Sequence, residues 1–171
     1  EDEQMLARFK QELSLSRRLN HPNVIRLYDI GSFLGHRYIT MELLEGKDLN
    51  HIVGRPLKLD VAFDWLVQMC NGLQAAHDKG VIHRDIKAQN VFLMADGSLR
   101  LGDFGVAAVL DYTLAKAQSQ IGTPYYIAPE ILKGRAYTSK VDVWSLGVLL
   151  FEMCALDVPI KAANLHDLYK R

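Results

Sequence analysis

The stretch HRDIKAQNVFLMADGSLRLGDFG, residues 83–105, decides the fold of this chain. Two short apolar runs, Val91 to Leu93 and Leu99 to Leu101, flank the turn Ala95-Asp96-Gly97, and an Asp-Gly pair between such runs predicts a β-hairpin. Polar residues that can carry chemistry precede this hairpin in the sequence and follow it. The stretch therefore predicts two short strands around a tight turn, with functional residues on either side.

A long helix is predicted upstream of the hairpin. Asp60 is expected to cap its N-terminus, and Gly80 is placed to end it. One stripe of the helix is formed by apolar residues at helical spacing, which are Phe63, Leu66, Val67, Cys70 and Leu73.

The N-terminal part of the chain predicts one helix and two strands. Apolar residues recur at helical spacing from Met5 to Leu19, and the polar residues 20–23 stop this pattern. The runs Val24 to Ile30 and Arg37 to Met41 are rich in β-branched and aromatic residues, so we expect them to form two antiparallel strands.

Downstream of the hairpin, residues 106–122 show little periodicity and predict a long loop, which in a compact domain is usually functional. Ser139 with Asp142 three residues later resembles a capping box ahead of an apolar helix from Val143 to Met153. The whole pattern predicts an α+β fold, with a small α+β start and a mostly helical body.

The composition is that of a globular protein without an electrostatic footprint. The 171 residues include 20 Lys and Arg and 20 Asp and Glu, so the formal net charge is zero and no basic patch for nucleic acid or an anionic membrane is evident. The longest apolar stretch, residues 143–151, is too short to span a bilayer. Cys70 and Cys154 are the two cysteines and lie in separate helical patterns, which excludes a disulfide framework and favours a reducing, cytoplasmic setting.

Three short motifs follow one another along the chain: HRDIKAQN at residues 83–90, DFG at 103–105 and APE at 128–130. In this order they resemble the catalytic loop H-R-D-x-x-x-x-N, the D-F-G and the A-P-E of a protein kinase. The strings around these motifs look most like the NIMA-related (Nek) group of serine/threonine kinases. The resemblance implies a bilobal kinase-like fold, with residues 1–43 as a partial N-lobe of one helix and two strands, and residues 44–171 as a C-lobe lacking its last helices.

The resemblance also assigns the residues of phosphoryl transfer from ATP. Asp85 matches the residue that orients the substrate hydroxyl and accepts its proton. Lys87 matches the lysine that contacts the transferring phosphate in serine/threonine kinases, which favours a Ser/Thr acceptor on a protein substrate. Asn90 and Asp103 match the metal ligands, and their oxygens suit Mg²⁺.

The expected nucleotide pocket begins at the end of the second strand. Met41 would narrow the back of the adenine pocket, and the backbone of Glu42 and Leu44 would hydrogen-bond adenine. Asp48 matches a ribose-contacting residue, although a plain helix N-cap is the alternative. Phe92 would pack beneath the adenine ring; as a strand aromatic in the core it would be buried equally.

Four further residues match regulatory positions. Arg84 could pair with a phosphate on the loop, for which Ser119 is the best candidate, with an ordinary loop serine as the alternative. Thr123 is expected to hydrogen-bond the catalytic loop. Glu12 matches the ion-pair partner of a strand lysine, with a solvated helix charge as the alternative. Asp142 matches a buried aspartate that braces the catalytic loop, or it caps its helix.

The chain departs from the family pattern in its nucleotide-binding half. No G-x-G-x-x-G occurs among the 12 glycines, and the strand lysine is absent, so we expect a fragment that is inactive in isolation. A truncated pseudokinase acting as a protein-binding scaffold is the alternative, and a metabolic phosphotransferase is a distant third. We expect no nucleic-acid or membrane partner and a cytoplasmic location, with cytoskeletal association implied by the family; the oligomeric state is left open.

Overall fold

The computed structural model describes residues 14–34, 36–52, 54, 56–104, 125–161 and 167. The first described residues, 14–16, are helical. The elements that follow are β1 (Leu27–Phe33), β2 (His36–Met41), β3 (Gly46–Asp48), α1 (Leu49–Ile52), α2 (Leu59–His77), a 3₁₀ turn (Ala88–Asn90), β4 (Val91–Met94), β5 (Leu99–Leu101), α3 (Pro129–Leu132) and α4 (Lys140–Ala155).

Strands β1 and β2 form an antiparallel hairpin. Their register pairs Leu27 with Met41 at the open end and Phe33 with His36 at the turn. The two predicted strands are confirmed, but β1 starts three residues later than expected because Val24 instead forms a parallel bridge with Leu101. The segment before β1 therefore belongs to the second sheet.

Strands β3, β4 and β5 form that second sheet, in this order and all antiparallel. The predicted hairpin is confirmed as β4 and β5. Its turn is stabilised by Asp96, whose Oδ1 accepts hydrogen bonds from the N–H of Ser98 at 2.9 Å and from its hydroxyl at 2.6 Å. The short strand β3 was not predicted, because three residues carry no periodicity.

The long helix α2 is confirmed, but its expected N-cap is wrong and its predicted apolar stripe is only partly buried. Lys58 occupies the N-cap position and Asp60 lies in the first turn. Phe63 and Val67 are 62% and 55% exposed. Leu73 of the predicted stripe is buried, and the other buried residues of α2 lie on the adjacent face, namely Ala62, Trp65, Met69, Gly72 and Ala76.

Helix α2 ends in a Schellman motif. The N–H of Val81 donates to the carbonyl of Ala76, and that of Gly80 donates to the carbonyl of His77. Gly80 has φ +73°, the left-handed conformation that this motif needs. The prediction that Gly80 ends the helix is confirmed.

The apolar helix α4 is confirmed, whereas the capping box at its start is wrong. Ser139 has helical dihedral angles and makes no side-chain capping hydrogen bond. Asp142 is fully buried and points toward the stretch that precedes β4. Leu146, Leu149 and Met153 of α4 join residues of α2 and β5 in one core.

The predicted α+β class is confirmed by two small sheets and the helices packed beside the second. The predicted loop 106–122 and most of the predicted helix from Met5 to Leu19 lie outside the described residues. The division at residue 43 stays a prediction. Within the described part of the chain, no helix has the length and apolarity needed to cross a membrane.

Candidate active site

Asp85 lies in the irregular segment between α2 and the 3₁₀ turn, and two neighbouring residues bind its side chain. Its Oδ2 accepts hydrogen bonds from Lys87 Nζ at 2.6 Å and from Asn90 Nδ2 at 2.9 Å. Asn90 Nδ2 also donates to the backbone carbonyl of Asp85 at 2.8 Å. Two donors thus fix the orientation of this carboxylate.

The β4–β5 hairpin brings Asp103 to the same place. The N–H of Gly102 donates to the carbonyl of Asn90 at 2.8 Å, so the residue before Asp103 contacts the residue that orients Asp85. Asp103 is exposed and has φ +57°, a left-handed conformation that turns the chain at this point. The structure therefore brings the predicted residues Asp85, Asn90 and Asp103 together.

Asn90 and Asp103 can supply oxygen ligands to Mg²⁺. Asn90 is 4% exposed, and its amide nitrogen is used by Asp85, which leaves its Oδ1 as the available acceptor. Among the described residues, no three His, Cys, Asp or Glu side chains converge on a metal position. A pair of protein oxygens completed by phosphate and water is how proteins commonly hold Mg²⁺.

His83 connects the two halves of this site. It is fully buried, and its Nε2 donates to the carbonyl of Gly102 at 2.7 Å. Its ring packs edge-on against that of Phe104, with 4.4 Å between the ring centroids. The N–H of Asp85 donates to His83 Nδ1 at 3.3 Å, so the neutral ring is satisfied at both nitrogens. Burial lowers the pKa of His83 below its usual value, against the raising effect of Asp142.

Asp142 of α4 fixes the backbone of the segment that contains His83 and Arg84. Its Oδ2 accepts the N–H of His83 at 2.9 Å and its Oδ1 accepts the N–H of Arg84 at 2.7 Å. His77, at the end of α2, lies with Nε2 at 2.7 Å from Oδ2 of the same carboxylate. His77 was missed from the sequence, since nothing local marks a partner 65 residues away.

Phe92 and Asp48 are directly paired residues in the neighbouring strands β4 and β3. Phe92 is half-buried and lies so close to Gly102 that a Cβ there would approach its ring to 2.9 Å. Asp48 caps α1: its Oδ1 accepts the N–H of His51 at 3.2 Å, and its Oδ2 lies 2.6 Å from His51 Nδ1. The helix-cap role considered for Asp48 is therefore observed.

The segment after β2 starts with Met41, which is 43% exposed at the strand end. The N–H of Glu42 donates to the carbonyl of Arg26 at 3.0 Å. No described residue accepts a hydrogen bond from the N–H of Leu44. The Leu44 N–H is therefore available as a donor, and the adenine-binding role of both residues stays a prediction.

The regulatory positions are only partly described. Arg84 has φ +67°, and its guanidinium lies 5.6 Å from the ring centre of Tyr137. Glu12, Ser119 and Thr123 lie outside the described residues, so their expected roles stay predictions.

A groove of about 220 Å³ opens beside Ala88, between α1 and the end of α4. Glu152 lines it and accepts a hydrogen bond from the hydroxyl of Tyr126. Burial, followed by the nearby carboxylate, raises the pKa of Tyr126 well above its usual value. Nothing local in the sequence predicts this pair.

Comparison with known proteins extends the likeness over the whole chain. The family model described as protein kinase domain matches residues 1–171. The chain is 40% identical over 163 residues to the serine/threonine-protein kinase Nek1 of Mus musculus, covering 93% of this chain and 14% of that protein. It is 40% identical over 164 residues to Nek5 of Homo sapiens, covering 93% and 23%, and 36% identical over 171 residues to CBL-interacting serine/threonine-protein kinase 12 of Arabidopsis thaliana, covering 98% and 35%. The chain thus spans well under half the length of these relatives.

Proposed function

The chain belongs to the protein kinase domain family and is Nek-like, and from this membership we propose that its protein transfers the γ-phosphoryl group of ATP to Ser and Thr hydroxyls of protein substrates. The observation that carries the proposal is the convergence of Asp85, Asn90 and the Gly102–Asp103 backbone. Phosphoryl transfer asks a protein mainly to position reactants and to neutralise charge, and this cluster supplies groups for both tasks.

Asp85 acts on the acceptor hydroxyl. Its Oδ2 is held by Lys87 and Asn90, while no described residue donates to its Oδ1. Asp85 Oδ1 can accept the proton of the substrate hydroxyl while the hydroxyl oxygen bonds to the γ-phosphorus and the bond from that phosphorus to ADP breaks. Lys87, whose Nζ lies 2.6 Å from Asp85, places a positive charge where the transferred phosphoryl group gains negative charge.

Asn90 Oδ1 and the Asp103 carboxylate would hold Mg²⁺ in this proposal. When bound, the ion would supply positive charge that neutralises the phosphate oxygens. His83 supports this part of the site because its hydrogen bond to the Gly102 carbonyl fixes the backbone one residue before Asp103.

The nucleotide lies against the second sheet. The Glu42 carbonyl and the Leu44 N–H bind the adenine edge, Met41 closes the back of the pocket, and Phe92 packs beneath the ring. Asp48 contacts the ribose while it caps α1, since a carboxylate has enough lone pairs for both roles.

Regulation follows the resemblance. Arg84 pairs with a phosphate on Ser119, Thr123 shapes the acceptor site, and Glu12 pairs with a strand lysine of the nucleotide-binding half. The enzyme acts in the cytoplasm, with cytoskeletal association as the family expectation.

A pseudokinase that acts as a protein-binding scaffold is the second candidate. The hydrogen-bonded geometry around Asp85 speaks against it, because a binding scaffold does not need an oriented carboxylate beside two magnesium ligands.

The test uses the full-length natural protein with γ-labelled ATP, Mg²⁺ and a mixture of Ser, Thr and Tyr peptides. We expect label on Ser and Thr, loss of labelling on chelation of Mg²⁺, and loss in Asp103→Asn. Absence of transfer by the folded wild-type protein would favour the scaffold.

A further inference from the structure

Glu42 and Arg100 join the segment after β2 to strand β5. Arg100 Nη1 donates to both carboxylate oxygens of Glu42 at 2.7 Å. Glu42 Oε1 also accepts the N–H of Arg26 at 2.8 Å. The Glu42 side chain, directly after β2, therefore binds both the residue before β1 and the middle residue of β5.

The pair lies where solvent screens it only in part. The side chains of Glu42 and Arg100 are 19% and 27% exposed. Arg100 Nε is buried, and no described residue accepts a hydrogen bond from it. Since an unsatisfied buried donor costs stability, the arrangement is more costly than a surface ion pair and points to a role beyond stability.

The position of the pair indicates that role. Arg100 is paired with Phe92 in the sheet and stands three residues before Asp103. Glu42 follows Met41 at the place proposed for adenine. The pair thus ties the base-binding end of the proposed nucleotide site to the strand that leads to its metal-binding end.

We propose that the Glu42–Arg100 pair is a positioning clamp that fixes the segment after β2 against β5 and thereby sets the affinity for adenine nucleotides. The clamp acts by preorganisation: when the segment is held in its binding position, the nucleotide does not have to order it. This inference rests on the proposed function, because it concerns the same site.

The test measures Mg-ADP binding by calorimetry, together with ATP kinetics, on the full-length natural protein and its Arg100→Met variant. Loss of the clamp is expected to raise the Kd for Mg-ADP and the KM for ATP roughly fivefold or more, with a smaller effect on kcat. Arg100→Lys keeps a charge that can reach Glu42 and is expected to restore part of the affinity. Hydrogen exchange of the Arg26 amide, which donates to Glu42, should be faster in Arg100→Met.

Arg17→Gln is the matched control. Arg17 Nη1 lies 3.4 Å from Asp29 Oδ1, and both side chains are largely exposed, so its loss should leave nucleotide affinity unchanged. Glu42→Gln combined with Arg100→Met should weaken binding no more than the stronger single change, because both remove one clamp.

The outcomes separate the two claims. A wild-type protein that binds Mg-ADP as weakly as its Arg100→Met variant overturns the clamp and leaves the proposed function standing. A folded wild-type protein that neither binds Mg-ADP nor transfers phosphate overturns both. An equal loss of affinity in Arg17→Gln would also contradict the clamp.

Discussion

At the scale of single residues, Asp142 links the apolar helix α4 to the segment that leads to Asp85. It is fully buried and faces two backbone N–H groups and His77. A buried carboxylate is stable only when its hydrogen-bonding capacity is filled. The position of His83 and Arg84 therefore depends on this one side chain.

Asp142→Asn is expected to destabilise the chain by about 2 kcal/mol, because the amide presents one oxygen and sets an N–H group against a backbone donor. Urea unfolding measures this. Ser139→Ala is the control and should change stability by less than about 0.5 kcal/mol, since Ser139 makes no capping bond. Equal losses in both variants would restore the capping box and contradict the brace.

His83 predicts the pH dependence of stability. Burial lowers its pKa in the folded chain, so below about pH 6.5, the usual pKa of histidine, the unfolded chain binds a proton that the folded chain does not. The free energy of unfolding should therefore fall as the pH decreases from 7 toward 5, by up to about 1.4 kcal/mol per pH unit from this group.

His83→Gln keeps a donor for the Gly102 carbonyl and removes the titrating ring. Unfolding measured between pH 5 and 8 should show a smaller slope in this variant than in the wild type. Identical slopes would mean that His83 does not resist protonation.

The residues of the site that a sequence can reveal are those in one local motif. Asp85, Asn90 and Asp103 were identified because residues 83–105 hold them together. His77, Arg100 and Glu152 were missed, because the partners of each lie on other elements and a side-chain pair across the fold leaves no spacing in the sequence.

At the scale of elements, helix α2 shows what periodicity can and cannot decide. Its existence and its end at Gly80 followed from spacing and turn chemistry. Its buried face did not, because apolar residues occupy two adjacent stripes and only packing against α4 and β5 selects the stripe with Trp65 and Met69. Phe63, a member of the predicted stripe, is therefore exposed to solvent.

Gly80→Ala should destabilise the chain by roughly 1 kcal/mol, since a Cβ is strained at φ +73°. Thermal or urea unfolding measures the change. Gly54→Ala is the matched control: its Cβ would meet no atom within 4 Å, so little change is expected. A neutral Gly80→Ala would show that the Schellman turn does not need glycine.

At the scale of the whole molecule, strand β5 joins the parts. Its Leu101 exchanges backbone hydrogen bonds with Asn23 and Ile25, its Arg100 binds Glu42, and the chain then continues to Asp103. The α+β class was predicted because hairpin and helix signals are local. The pairing of the segment before β1 with β5 was not predicted. Its bridge joins Val24 to Leu101, and no local sequence pattern indicates a contact between residues so far apart in the chain.

The 171-residue chain alone should bind Mg-ATP weakly, because it contains no G-x-G-x-x-G motif and no lysine in β1 or β2 to contact the phosphates. At about 1 mM Mg-ATP, we expect a rise in the thermal midpoint below about 3 °C, equivalent to about 1 kcal/mol or less. A rise that requires a sub-micromolar Kd would mean that residues other than these hold the triphosphate.

The most direct measurement compares phosphate transfer to a Ser/Thr peptide by the full-length natural protein and by its Asp85→Asn variant, with folding checked by circular dichroism and nucleotide binding by calorimetry. Because Asp85 is proposed to accept the proton of the acceptor hydroxyl, the variant should lose at least about 100-fold in kcat while it still folds and binds Mg-ADP. A folded variant that transfers phosphate at the wild-type rate would remove Asp85 from the chemistry and contradict the proposed mechanism.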